Sequence, residues 1–215
     1  MSGSDGEGFV PGDPAAQVWA EPFVLATERT RLRPSTASDA ARLFPHVHGQ
    51  PEVTDWICWD GPEHLVDLVD RYVSWRLHTP AEPVYVFVLE RVSDGEAIGE
   101  GTLRFDGSTG GGRPGVGDLG YWLGSAFHGG GHGSDAVDLL VEAGFVHCGA
   151  HTLTAQVKAG NDRSLAVLRK AGFQIGVPGQ LAGEDPDKAQ PGEASILALP
   201  PSERPVAWIA SLARA

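Results

Sequence analysis

Residues 118–148 read DLGYWLGSAFHGGGHGSDAVDLLVEAGFVHC, and their order decides the fold. Asp118 to Leu123 is a short apolar run rich in aromatics, which predicts a strand. Gly129, Gly130, Gly131 and Gly133 follow within five positions. Val137, Leu140, Val141, Gly144, Phe145 and Cys148 then recur with the period of one helix face. Ser134 is the expected N-cap, with Asp135 and Asp138 in the first turn, where the dipole favours acids. Strand, glycine turn and helix in this order suit an anion. About four backbone N–H groups at a helix start lack a helical partner. Glycine lets that backbone approach a ligand closely, and a phosphate satisfies both the donors and the dipole. Taken alone, the glycines also read as a plain flexible turn.

Two familiar phosphate motifs fit poorly. The P-loop needs Gly-Lys-Ser/Thr, and no lysine lies near. The dinucleotide fingerprint needs an acid about twenty residues further on. That position falls in HTLTAQVKAG, residues 151–160, which holds no acid.

Four pieces of sequence, in the right order and spacing, resemble the GCN5-related N-acetyltransferase (GNAT) superfamily, in particular its RimJ/RimL-like branch. Thr30 to Asp39, TRLRPSTASD, resembles the opening strand and capped helix. Gly120 to Leu123, GYWL, resembles the family's fourth strand. His128 to Ala136, HGGGHGSDA, resembles the pyrophosphate loop Q/R-x-x-G-x-G/A, with His128 for Gln or Arg and Asp135 for Glu. Gly160 to Phe173, GNDRSLAVLRKAGF, resembles E-N-x-x-S-x-x-V-L-x-K-x-G-F. The resemblance covers roughly residues 28 to 200. It implies a mixed α/β fold: a mostly antiparallel sheet whose fourth and fifth strands run parallel and splay apart, flanked by helices.

The resemblance also implies an activity, the transfer of an acetyl group from acetyl-CoA to a primary amine. The acceptor would be a protein N-terminus or a small molecule. Trp122 and Leu123 would offer backbone groups to pantetheine, and His128, Gly129, Gly130, Gly131, His132, Gly133 and Ser134 would hold the pyrophosphate. Asn161 would contact the coenzyme and hold the parted strands. An attacking amine must be neutral, which asks for a general base; Asp118, acting through water, is the first candidate and Glu100 the reserve. Ser164 would hydrogen-bond the leaving thiolate, and plain N-capping is the alternative for both Ser164 and Asn161. Trp56, Trp59 and Trp75, with Glu100, fall in the acceptor region. The family's frequent tyrosine acid falls at Leu168, so a phenol is missing there. That absence leaves a second reading open, a non-catalytic acyl-CoA-binding or regulatory domain.

Composition narrows the partners. The formal net charge of −12 argues against nucleic acid and suits either a cationic acceptor or simple solubility. No apolar run is long enough for a membrane span and no signal-peptide pattern is seen. Two cysteines, Cys58 and Cys148, are too few for a disulfide framework, and a reducing cytoplasm is expected. The eight histidines do not form a metal-ligand pattern, and no metal is expected.

Along the chain, residues 1–22 read as a flexible leader, 23–200 as the catalytic domain and 201–215 as a C-terminal helical tail suited to a homodimer contact or to folding back. Ser35 or Thr36 should cap a helix reaching about His48, and Pro62 should open another. Val84–Arg91 and Ala97–Phe105 form two strands around the hairpin signal Ser-Asp-Gly. Thr152–Val157 and Phe173–Val177 are strands, Asn161–Ala171 is a helix closed by Gly172, 180–193 is a polar insertion, and Ala194–Leu199 closes the sheet.

Overall fold

The computed structural model describes residues 23–57, 59–75, 84–105, 115–175 and 194–199, with the backbone alone at 74–75, 175 and 194–199. The expected leader, the polar insertion, the C-terminal helix and the Trp75 side chain lie outside what is described. Eight strands form one sheet in the order β1-β2-β3-β4-β5-β6-β8-β7. They are β1 Leu25–Ala26, β2 Thr30–Pro34, β3 Val84–Arg91, β4 Ala97–Arg104, β5 Val116–Leu123, β6 Thr152–Lys158, β7 Gln174–Ile175 and β8 Ala194–Leu199. All neighbours are antiparallel except β5 and β6, which run parallel. This is the mixed, mostly antiparallel sheet that the sequence implies.

Helices cover both faces. On one lie α1 (Asp39–Val47), the short α2 (Pro51–Thr54) and α3 (Leu65–Trp75). They bury Ala40, Leu43, Val47, Val53, Leu68 and Tyr72 against Val88, Ala97 and Trp122. On the other lie α4 (His132–Glu142) and α5 (Asp162–Lys170). Here Val137, Leu139, Leu140 and Leu168 pack on Leu32, Leu103, Leu119 and Leu153. Each such side chain contributes about 1.5–3 kcal/mol by leaving water. β4 carries Gly101 beneath α4, and a Cβ there would meet the Leu140 methyls at 2.9 and 3.0 Å. The glycine lets the helix lie close on the sheet.

Helix ends follow local chemistry, with three departures from expectation. α1 begins at Asp39, and that residue's carboxylate reaches back to the Thr36 N–H at 2.8 Å and its hydroxyl at 2.8 Å. Thr36 thus receives half of a capping box rather than supplying a side-chain cap. α4 is capped by Gly131 in the left-handed region, φ 88°, not by Ser134, which lies three residues inside. The continuous helix expected through Cys148 ends at Glu142 and passes into a π-turn over Ala143–His147, with Cys148 N–H on the Ala143 carbonyl at 2.9 Å. α5 behaves as expected. Gly172, φ 93°, donates to the Arg169 carbonyl at 3.0 Å and Phe173 to Leu168 at 3.0 Å, a Schellman closure.

Candidate functional site

The site is made where β5 and β6 part. On its β4 side β5 is paired from Asp118–Arg104 to Leu123–Gly99. On its β6 side the pairing covers Val116–Thr152, Gly117–Leu153 and Asp118–Thr154, and stops. The other edge of β6 is paired to β8 from Leu153 to Lys158. A seam therefore opens after Asp118 and widens toward Leu123, about 17 Å further along the strand at ~3.3 Å per residue.

Ladder parity shows which backbone groups face the seam. The Gly124 N–H donates to Ile98 of β4 at 2.9 Å, so even-numbered residues of β5 address β4. The Thr152 N–H donates to Gly115 at 3.2 Å, so odd-numbered ones address β6. Tyr121 and Leu123 thus present N–H and C=O groups with no strand partner. Leu123 is where the sequence places a pantetheine contact. The sequence names Trp122 as well, and the Trp122 backbone is turned to Glu100 on β4. Tyr121 shares the open edge with Leu123, and the alternation within GYWL was the signal that could have found it.

At the open end lies the glycine loop. Among the described residues, no acceptor takes the backbone N–H of Gly129, Gly130, Gly131, His132, Gly133 or Ser134, and α4 has no side-chain cap. Gly129 (φ 80°) and Gly131 (φ 88°) hold conformations that favour glycine. The loop is anchored from below by Asp135, which is 3% exposed. Its carboxylate accepts from Arg29 Nε at 3.1 Å and Nη2 at 2.7 Å, from Thr27 at 2.8 Å and from Thr30 at 3.1 Å. The Arg29 guanidinium lies under Gly131, where a Cβ would approach it at 3.2 Å. His128 caps the turn out of β5 by donating Nε2–H to the Leu123 carbonyl at 3.0 Å.

At the closed end Asp118 is half-buried, lies opposite Arg104 in register and accepts from the Thr154 hydroxyl at 3.2 Å. On the α4 face Tyr121 crosses the seam and donates its hydroxyl to Ser164 Oγ at 3.3 Å. Burial raises the Tyr121 phenol above its ordinary range, so it stays protonated at neutral pH. Asn161 is the N-cap of α5, its Oδ1 accepting from the Ser164 N–H at 3.2 Å. Ser164 is not the cap; its hydroxyl faces Tyr121. Leu168, where a tyrosine acid would fall, is 1% exposed in the core.

Glu100 is elsewhere. It is 2% exposed on the α3 face, accepts from the Tyr72 hydroxyl at 2.8 Å, and has Arg71 at 3.7 Å. Burial pushes its carboxyl up despite these partners. Trp59 is stacked under Arg71, 4.3 Å from the ring centroid. Trp56 is exposed, and a Cβ at Gly160 would meet its ring at 3.9 Å. Lys158 Nζ, at the end of β6, donates to the carbonyls of Asp55 (3.1 Å) and Ile57 (2.6 Å). This ties the segment carrying Trp56 and Trp59 to the far bank of the seam.

Among the described residues no group of three or more His, Cys, Asp and Glu could hold a metal ion, and no helix is long and apolar enough to cross a membrane.

The chain's relatives carry the same architecture. The fold is similar to that of a GNAT-family acetyltransferase from Bacillus anthracis, with a TM-score of 0.65 and 15% identity over 84% of this chain and 100% of that one. It is similar to Mycobacterium smegmatis RimJ in complex with CoA-disulfide, with a TM-score of 0.66 and 22% identity over 89% of this chain and 92% of that one. It is also similar to aminoglycoside acetyltransferase AAC(6')-Ib in complex with coenzyme A, with a TM-score of 0.62 and 20% identity over 80% and 95%. No protein of curated function matches the sequence. Residues 29–174 match the family profile of the acetyltransferase (GNAT) domain, and the chain belongs to that family.

Proposed function

We propose that the protein transfers an acetyl group from acetyl-CoA to a primary amine, borne by a protein N-terminus or a small molecule. The observation that carries this reading is the open edge of β5. Two residues without a β6 partner, Tyr121 and Leu123, the latter with its carbonyl held by His128, lead along a seam to six uncapped amides at the start of α4. The chain's own residues fit a long ligand with amides in its middle and a diphosphate at one end.

The chemistry follows from what lines the closed end. The amine nitrogen attacks the thioester carbon, a C–N bond forms, the C–S bond breaks, and the amine loses a proton. Asp118, at the apex, accepts that proton through water. Glu100 holds α3 to the sheet through Tyr72, and its burial removes it from the acceptor. On the leaving side Tyr121 donates to Ser164, which frees the Ser164 hydrogen to point at the departing sulfur. A phenol from β5 thus reaches the start of α5, the helix on which Leu168 offers no hydroxyl. Trp56 and Trp59, strapped over the mouth by Lys158, bound the acceptor side.

Leu168 keeps a second reading in play, a domain that binds acyl-CoA without turnover. Thiol release from acetyl-CoA against a panel of amines and N-terminal peptides separates the two. Release that rises with an acceptor supports transfer. Tight coenzyme binding with no acceptor-stimulated release supports the binding domain.

A further inference from the structure

The glycine loop faces an electrostatic problem. The protein carries a net charge of −12, and residues 128–134, HGGGHGS, contain no lysine or arginine. Arg29, one of two arginines nearby, already gives two N–H groups to Asp135. A diphosphate held by amides alone would leave much of its charge unmatched.

A hydrogen-bonded chain beneath the loop addresses this. A carboxylate only accepts, so the Thr30 hydroxyl donates its single proton to Asp135 Oδ2 at 3.1 Å. The Thr30 oxygen is then an acceptor, and His132 Nδ1, at 2.8 Å, must donate to it. This fixes the tautomer: Nδ1 carries the proton and Nε2 carries a lone pair. Thr30 is 0% exposed and His132 9% exposed, so the chain is held rigidly. Nε2 has no protein partner among the described residues and lies along the loop backbone, 3.7 Å from where a Cβ on Gly130 would stand. Protonating Nε2 breaks none of these bonds, since imidazolium donates from both nitrogens.

We propose that His132 is a proton-dependent ligand of the coenzyme's diphosphate: Thr30 and Asp135 aim it, and it binds a proton together with the anion. This rests on the acyl-CoA reading above. The charged groups facing the ring are Asp135 on its own helix, Arg29 ahead of β2 and Arg91 at the end of β3. His128, on the same loop, is the other titratable side chain there. In the free protein, burial lowers the His132 pKa, an effect that Asp135 opposes and Arg29 and Arg91 reinforce. The ring is then neutral at pH 7, and an arriving anion raises its pKa. Affinity therefore climbs as pH falls.

The probe is dephospho-coenzyme A, which lacks the 3′-phosphate and its own titration near neutrality. Calorimetry in buffers of different ionisation enthalpy reads the protons taken up. Wild type is expected to take up a proton on binding, with affinity rising about tenfold from pH 8 to pH 6. His132→Gln should bind more weakly, with little uptake and a nearly flat pH profile. In wild type, the His132 Cε1–H resonance should titrate at a higher pH with the ligand bound, a readout that needs no variant to fold. Equal uptake in His132→Gln, or an unshifted resonance, overturns the proposal while leaving the acyl-CoA reading in place. No affinity at any pH overturns both.

Discussion

The two edges of β5 meet opposite fates. Toward β4 the strand is paired from Asp118 to Leu123, and Trp122 is locked opposite Glu100. Toward β6 the pairing ends at Asp118, and Tyr121 and the Leu123 N–H are left without a strand partner. One strand serves as structure on one side and, in the proposed function, as a binding surface on the other. Unpaired buried backbone groups are costly, so an edge left open beside a full sheet asks for a ligand. The comparison divides substitutions into those that alter chemistry, those that alter binding and those that alter only the scaffold.

The largest effect is expected where the seam closes. Asp118→Asn should lower kcat/KM by about a thousandfold, ~4 kcal/mol, by removing the base. Coenzyme affinity measured by calorimetry should stay nearly constant, because the open edge and the loop are untouched. An unchanged pH–rate profile would remove Asp118 from the chemistry.

Next comes the open end. Gly131→Val puts a β-branched residue at φ 88° with its Cβ against Arg29. Coenzyme affinity should fall about a hundredfold, ~2.7 kcal/mol. Near-normal affinity would mean that the loop amides are not the diphosphate site.

The paired half responds to acid instead. Burial alone would raise the Asp39 carboxyl, but hydrogen bonds from Arg33 and Thr36 outweigh it and hold it down to about 2. A carboxylate held below its unfolded value stabilises the fold above the unfolded pKa, and that stability fades as pH falls through the folded one. Its contribution, about 2 kcal/mol, should be intact above pH ~4 and lost toward pH ~2. Urea unfolding of wild type and Asp39→Asn should converge over that window, and parallel curves would contradict it.

The smallest effect is expected from Tyr121→Phe. It should lower kcat about fivefold, ~1 kcal/mol, with unchanged coenzyme affinity, and little further when combined with Ser164→Ala. Additive losses would show that the two hydroxyls act apart.

Much of this was legible in the residues. The strand–glycine–helix order, the Ser-Asp-Gly hairpin and the Gly172 closure are local signals, and each stands where its chemistry places it. Less legible were features set by neighbours far away in sequence. Which edge of β5 is open depends on where β6 leaves it, so sequence alone pointed to Trp122 rather than Tyr121. Gly131, not Ser134, caps α4, where Arg29, from ahead of β2, grips Asp135 in the helix's first turn. Glu100 read as a reserve base because sequence does not show that Tyr72 closes over it.

The central claim is that the open edge of β5 grips the coenzyme's arm. Amide hydrogen exchange at Tyr121 and Leu123, with and without coenzyme A, tests it most directly. Rapid exchange in the free protein and strong protection on adding coenzyme A, shared by residues 129–134, is the predicted result. Amides already protected without ligand, or unchanged by it, would contradict the account.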